Sequence, residues 1–261
     1  MVFVAGHFGE WIQGLVGGSL ALVTLDCRDR GVRATWQDAP QLALDDPAGL
    51  IGTPRAKALL EAVGVAPRGK ITIAPDLPPG GGAGMSTAAL VALARAAGGD
   101  EARCAAACLS VEGAVDPLML DTPDSVLWAP RSATALAPLP PPPRATILGG
   151  FWGAPYRTDP GDHDFPPVDD LIAEWSQGPH LSEAARLASL SASRTTARRG
   201  PGDDPTEGLA QRLGALGWAR AHTGSARALI FAPGTLPETA GAAMRAAGYD
   251  HVMHFETGGR T

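Results

Sequence analysis

Residues 74–97 read APDLPPGGGAGMSTAALVALARAA, and this stretch decides the fold class. A short β-favouring run, Ile71-Thr72-Ile73, leads into it. The chain then passes through a turn made almost wholly of proline and glycine, residues 78–84. Ser86 and Thr87 open an apolar segment rich in alanine and leucine, which reads as a helix up to Gly98. Gly80, Gly81, Gly82 and Gly84 allow backbone conformations that a side chain would block. A helix that starts behind such a turn points its unpaired N–H groups back at it, and the two together form a cradle for an anion such as a phosphate. By pattern alone, a plain loop ahead of a buried helix fits equally well, because the lysine of a Walker loop is missing.

The rest of the chain bounds what such a cradle could serve. With 261 residues there is enough chain for one large domain or two small ones with real cores. The composition is 45% hydrophobic and 18% charged, which fits a folded globule rather than a disordered chain. Net charge is −6, and the arginines form only two short patches, Arg28/Arg30/Arg33 and Arg194/Arg198/Arg199; no basic nucleic-acid surface is expected. Three cysteines, Cys27, Cys104 and Cys108, are too few and too scattered for a disulfide scaffold and fit a reducing cytoplasm. Cys104 and Cys108, one helical turn apart among alanines, read as small buried side chains. No uncharged apolar run is long enough to span a membrane, and no basic-then-apolar leader opens the sequence, so a cytoplasmic protein is expected.

Along the chain, residues 2–5 read as a strand that Gly6-His7-Phe8-Gly9-Glu10 breaks, with 10–14 a short strand or turn. Residues 20–26 and 30–37 read as two strands pairing early and antiparallel, and 38–50 as loop. A short amphipathic helix follows at 54–63, with Pro54 in its first turn and Gly64 as its stop. Further helices are expected at 101–110, 168–176, 181–196, 206–216 and 236–247. Strands are expected at 69–74, 125–128, 145–150, 227–231 and 249–256. The proline-rich stretch 134–144 marks a boundary between domains 1–144 and 145–261. Residues 156–167 carry Asp159, Asp162, His163 and Asp164, yet proline and glycine interrupt them; an exposed loop fits better than a metal cluster. Strands alternating with helices through the second half argue for an α+β or α/β fold.

Some residues could carry chemistry. A hydroxyl at Ser86 or Thr87 can cap the helix, meet Mg²⁺ or touch a phosphoryl oxygen. Glu112 and Asp116 lie four apart and would share a face if their segment were helical. Such a pair can hold Mg²⁺ or orient a hydroxyl nucleophile; local capping or pairing of Glu112 is the plainer alternative. A second small-residue turn, Ala221-His222-Thr223-Gly224-Ser225, precedes a strand. Glu10 and Gln13 flank Trp11 and suggest either a polar pocket or an exposed turn.

Taken in order, these segments resemble the motifs of the GHMP small-molecule kinases. The most similar branch is that of the L-threonine kinases of cobalamin synthesis, the propanediol-utilisation type. Gly9 to Gly14 is similar to that branch's G-E-L/I-x-Q-G opening. Pro78, Gly82, Ser86 and Thr87 fall on its P-x-x-x-G-x-x-S-S-T/A loop, and 221–225 on its A-H-S-G-S turn, with Thr223 for serine. The resemblance covers nearly the whole chain. It departs at Met85, which stands where the loop has its first serine, and in a Glu112 to Asp116 interval one residue longer than the pattern.

The resemblance implies an α+β, two-domain GHMP-kinase-like fold. Its N-terminal α/β domain would contain a left-handed β-α-β unit, and its C-terminal domain would be a ferredoxin-like α/β sandwich. It implies ATP against Pro79, Gly80, Gly81, Gly82, Ala83, Gly84, Met85, Ser86 and Thr87, and Mg²⁺ on Ser86 and Glu112. Ser86 and Asp116 would be catalytic, with Asp116 near the acceptor hydroxyl or the metal. The substrate pocket would hold Glu10, Gln13, Asp26, His222, Gly224 and Ser225. The implied activity is ATP-dependent phosphorylation of L-threonine. A kinase for another small hydroxylated acceptor such as homoserine, or a non-catalytic nucleotide or metabolite binder, are the alternatives. No nucleic-acid or membrane partner is implied, and a homodimer is left open.

Overall fold

The computed structural model describes residues 1–155, 159 and 161–259. Of the polar stretch read as an exposed loop, residues 156–158 and 160 lie outside the described residues.

Two long strands form the centre. β1 (Val2–Val16) and β2 (Ser19–Gln37) are antiparallel and joined by Gly17-Gly18, both at positive φ, as a two-residue hairpin turn requires. The expected break at residues 6–10 is not a break, and 20–26 and 30–37 are one strand rather than two partners. The register instead shifts at Ala5/Gly6, His7/Glu10 and Glu10/Ile12. Bulges of this kind bend a strand without ending it and re-aim its side chains. The glycines there read as punctuation in the sequence, yet they leave room for neighbouring backbone. A Cβ on Gly9 would lie 2.8 Å from the Arg220 carbonyl carbon.

β3 (Leu42–Asp45), inside the expected loop 38–50, runs parallel to β4 (Gly69–Pro75), with α1 (Gly52–Ala62) between them as a β-α-β crossover. α2 (Met85–Ala96) packs across β1 and β2 and buries nine of its twelve residues, which explains its all-round apolar sequence. α3 (Glu101–Glu112) starts at Asp100, whose side chain accepts from the Ala102 N–H, and stops at Gly113 in the left-handed conformation. A small hairpin, β5 (Val126–Ala129) and β6 (Thr134–Pro138), branches from β2.

From Ala145 the chain follows β7 (Ala145–Phe151), α4 (Asp169–Trp175), α5 (Leu181–Arg199), α6 (Thr206–Leu213), β8 (Gly217–Arg220), β9 (Ala226–Phe231), α7 (Ala240–Ala246) and β10 (Asp250–Thr257). The strand order β10-β7-β9-β8, all antiparallel, is that of a ferredoxin-like βαββαβ unit. β8 then pairs with β1 at Glu10↔Arg220, so one sheet runs through both halves in the order β10-β7-β9-β8-β1-β2-β4-β3.

Aromatic side chains weld the junction. Phe8 of β1 meets Phe151 of β7 edge-on at 5.1 Å and Phe255 of β10 at 5.9 Å, while Trp11 lies 5.6 Å from Trp175 of α4. Cys104 and Cys108 are buried, free thiols on α3. Among the described residues no helix is long and apolar enough to cross a membrane.

Candidate active site

The glycine-rich turn is held in place by two distant pieces of chain. From β1, the His7 N–H donates to the Ala83 carbonyl and the Gly9 N–H to the Gly82 carbonyl, both at 3.2 Å. From β9, the Ala226 N–H donates to the Gly81 carbonyl at 2.7 Å. The turn between β8 and β9 packs directly on the loop. Gly82 has φ +77, and a Cβ there would lie 2.3 Å from the Ala221 Cβ and from the Thr223 carbonyl oxygen. The three stretches singled out in the sequence, 9–14, 78–88 and 221–225, therefore meet.

Beside this junction lies a cavity of about 320 Å³. Its floor is residues 78–87. Its walls are Glu112 to Asp116 without Gly113, together with Arg55, His7, His222 and Thr223. Gly84, left-handed at φ 69, is the N-cap of α2, and no side chain caps the helix. The first N–H groups of α2 thus lack intrahelical partners and open on the cavity, where the helix dipole favours negative charge. Met85 packs inward: a Cβ on Gly6 would meet its Cε at 2.3 Å, so the side chain that replaces the loop's first serine belongs to the core.

Two carboxylates face this floor. Glu112 is the last residue of α3, and Gly113 turns the chain away, so Glu112 and Asp116 do not share a helix face. Glu112 Oε1 accepts from the Ser86 hydroxyl and, at 3.0 Å, from Arg55. Arg55 is braced by the carbonyls of Ile51 (2.8 Å) and Leu50, in a loop whose N–H groups donate to the Asp46 carboxylate. Burial is the largest influence on Glu112 and pushes its carboxyl up; the Ser86 hydrogen bond and the Arg55 charge offset only part of that.

Asp116 arrives by a loop pinned through its neighbour: the Val115 N–H donates to the Pro130 carbonyl, and Trp128 Nε1 donates to the Val115 carbonyl at 2.6 Å. The Asp116 N–H donates to Thr87 Oγ1 at 3.3 Å, and Asp116 Oδ2 lies 3.2 Å from His7 Nε2. Burial works to raise this carboxyl, but the His7 charge and hydrogen bond, then His222 and Thr87, outweigh it and hold Asp116 below the usual carboxylate range. For His7, burial favours the neutral ring. The carboxylates of Asp116 and Glu10 overcome it, with help from the Gly9 carbonyl, and lift His7 to about 9.

The expected substrate residues separate into two groups. His222 is on the cavity wall. Glu10 is sealed behind His7 and His222, 3.5 Å from Nδ1 of each. Gln13, Asp26, Gly224 and Ser225 are off the wall. Gln13 ties β1 to its neighbours: its side chain donates to the Arg220 carbonyl at 3.2 Å and its N–H to Ser191 Oγ at 2.9 Å. The Asp26 carboxylate accepts from Arg28 at 2.8 Å, Gly224 packs against the Gly81 backbone, and the Ser225 carbonyl accepts from the Trp152 N–H at 2.8 Å. Two wall residues, His7 and Arg55, are not among those the sequence singles out. A histidine between glycines, three residues before Glu10, was a usable signal; an arginine on an amphipathic helix was none.

The residues present fit ATP phosphates with Mg²⁺. Among the described residues, no cluster of three or more His, Cys, Asp or Glu is placed to hold a metal by itself. One hydroxyl and one carboxylate in contact, Ser86 and Glu112, suit a Mg²⁺ ion that takes its remaining ligands from phosphate and water.

No family model and no curated protein matches the chain by sequence. Solved structures do match its shape. The mevalonate kinase of L. major, in complex with R-mevalonate, superposes with a TM-score of 0.68 at 14% identity, over 98% of this chain and 96% of that one. The phosphomevalonate kinase of Streptococcus pneumoniae gives 0.63 at 12% identity, over 98% of both chains. The homoserine kinase of Cytophaga hutchinsonii gives 0.57 at 15% identity, over 98% of this chain and 94% of that one. With its strand order, its glycine-rich loop ahead of α2 and these end-to-end likenesses, the chain has the fold of the GHMP-type small-molecule kinases.

Proposed function

We propose that the protein is an ATP-dependent small-molecule kinase and that its acceptor is the side-chain hydroxyl of L-threonine. The observation that carries the kinase reading is the uncapped start of α2 on the cavity floor, with a Ser86–Glu112 pair on one side and a separately held Asp116 on the other. Neighbours of the same fold that phosphorylate small hydroxylated acids and amino acids support it, as does the motif likeness at 9–14 and 221–225. The choice of L-threonine rests on that motif likeness alone.

Phosphoryl transfer asks little covalent work of a protein. It must place the hydroxyl in line with the γ-phosphorus and stabilise the charge on the transferring oxygens. Backbone N–H groups of residues 80–87 and the helix start supply donors for that charge. Ser86 and Glu112 would hold Mg²⁺, which when bound shields the phosphate oxygens. Asp116, kept ionised beside His7, accepts the hydroxyl proton as the acceptor oxygen bonds to phosphorus.

The test is a panel of amino acids and amino alcohols with Mg-ATP, read as acceptor-dependent ADP formation. Strong stimulation by L-threonine is expected. Stimulation by homoserine instead would move the acceptor and keep the kinase. Nucleotide binding with no acceptor-dependent turnover would replace the kinase with a binding protein.

A further inference from the structure

Along the cavity wall, four titratable groups stand in a row of which the transfer, as described, reacts through Asp116 alone. The row runs Asp116, His7, Glu10, His222, with contacts of 3.2, 3.5 and 3.5 Å. Its ends reach the cavity, and so does His7, while Glu10 does not.

The geometry at His7 is decisive. Nε2 faces Asp116 Oδ2, while Nδ1 faces the Gly9 carbonyl at 3.3 Å and Glu10 Oε1. A ring with oxygen acceptors at both nitrogens carries both protons, because a bare lone pair would face a carboxylate or a carbonyl. Glu10 is 1% exposed, and neither of its carboxylate oxygens has a hydrogen-bond partner among the described residues. A buried carboxylate in that state is costly unless cations balance it, and two imidazoles flank it. Its partners in the sheet register offer no closer charge. They are Thr24 on β2 and Arg220 on β8, and the Arg220 guanidinium donates to Thr196 and the Gly200 carbonyl. Around His7 itself, the facing groups are Glu10 on β1 and Asp116 on the loop after α3; Thr87 on α2 meets Asp116, and His222 on the β8–β9 turn meets Glu10. Its register partner on β2, Asp26, is bound to Arg28.

We propose that Glu10 is a positioning residue for the transfer: lodged between His7 and His222, it keeps His7 doubly protonated with Nε2–H aimed at Asp116, so that an ionised and oriented carboxylate meets the acceptor hydroxyl. This rests on the kinase reading. In the step, the acceptor oxygen bonds to the γ-phosphorus and the bond to the bridging oxygen breaks. That oxygen leaves with its electron pair on ADP, and the hydroxyl proton passes to Asp116 and then to solvent. His7 gives up no proton; it holds the charge across from Asp116.

The experiment combines ¹⁵N NMR of the histidine rings in the nucleotide-free protein with the pH profile of acceptor-dependent ADP release, for wild type, Glu10→Gln and His222→Gln. Wild-type His7 is expected to carry both ring protons at neutral pH. In Glu10→Gln it should lose one at a pH lower by at least about one unit, since a charge at this distance in a protein interior is worth more than that. The basic limb of kcat should move down with it, while KM for ATP stays put. His222→Gln should keep His7 protonated, which separates loss of the carboxylate from mere disturbance of the row and stands in if Glu10→Gln does not fold. A His7 that is neutral in wild type, or that titrates alike in wild type and Glu10→Gln, overturns the proposal even if turnover is normal. Shifted His7 titration in a protein that phosphorylates no acceptor overturns the kinase reading, and the role in transfer with it.

Discussion

Glu112 and Asp116 are four residues apart in the chain, of the same chemical kind and on the same cavity wall, yet their surroundings push them in opposite directions. Glu112 ends a helix, touches a hydroxyl and an arginine, and is raised by burial. Asp116 sits on a pinned loop against a charged histidine and is lowered despite burial. Two like groups whose environments separate them can divide two tasks. Here the lowered carboxylate stays ionised at the cavity wall, which fits the proposed role beside the acceptor hydroxyl. The raised one, already engaging Ser86, suits a cation that replaces Arg55 as its counter-charge. The lesson is that spacing in the sequence said little: what distinguishes the pair is the partner each meets.

Breaking the stronger side of this contrast should have the largest effect. Asp116→Asn should lower acceptor-dependent kcat by about 10³-fold, within the range for removing a general base, with KM for ATP little changed in steady-state kinetics. Ser86→Ala should lower turnover by roughly 10²-fold, as for removal of one aimed polar group, with an unchanged circular-dichroism melt. An unaltered rate would take Ser86 out of the proposed metal site. Gly82→Ala tests the scaffold that holds both carboxylates to one floor. A left-handed φ and backbone 2.3 Å from the new methyl should cost about 2–3 kcal/mol, read as a lower denaturant midpoint.

The smallest effects sharpen the comparison through pH. His7 is raised from 6.5 to about 9, so the stability it contributes is complete below 6.5 and is lost as pH rises through about 9. Asp116 is lowered, so its contribution is present above 3.8 and is lost as pH falls through its depressed folded value. Wild-type melting temperature should therefore drop by a few degrees between pH 8 and 10, and His7→Gln should flatten that drop. Each tenfold gain in proton affinity on folding is worth roughly 1 kcal/mol, which sets the scale of the change. A His7→Gln protein with the wild-type alkaline slope would show that the charge lies elsewhere.

Much of the fold was legible. The helices α1 and α3 and the start of β7 follow local rules: proline in a first turn, an aspartate cap, a glycine stop, a run of alternating or β-branched residues. β1 and β2 were harder, because glycines inside a bulged strand look like the glycines that end one. Of the site, the glycine loop with Ser86 and Thr87 was legible because turn and helix start are neighbours in sequence. The shape likeness to known kinases shows the fold over the whole chain and leaves the site residues to experiment.

What the sequence by itself determined is the local grammar: a strand, a glycine turn and an apolar helix in that order, with hydroxyls at the helix start. Backbone preference acts over a few residues and needs no distant partner. Only the tertiary structure decided that His7 faces Asp116, that Arg55 takes Glu112, that Glu10 is sealed between two histidines and that Gln13 and Asp26 lie off the cavity wall. Those outcomes depend on how a bulged strand, a β-α-β crossover and a distant hairpin turn are brought into register. A side chain's charge and role are set by the groups packed around it, and packing unites residues that the chain keeps far apart.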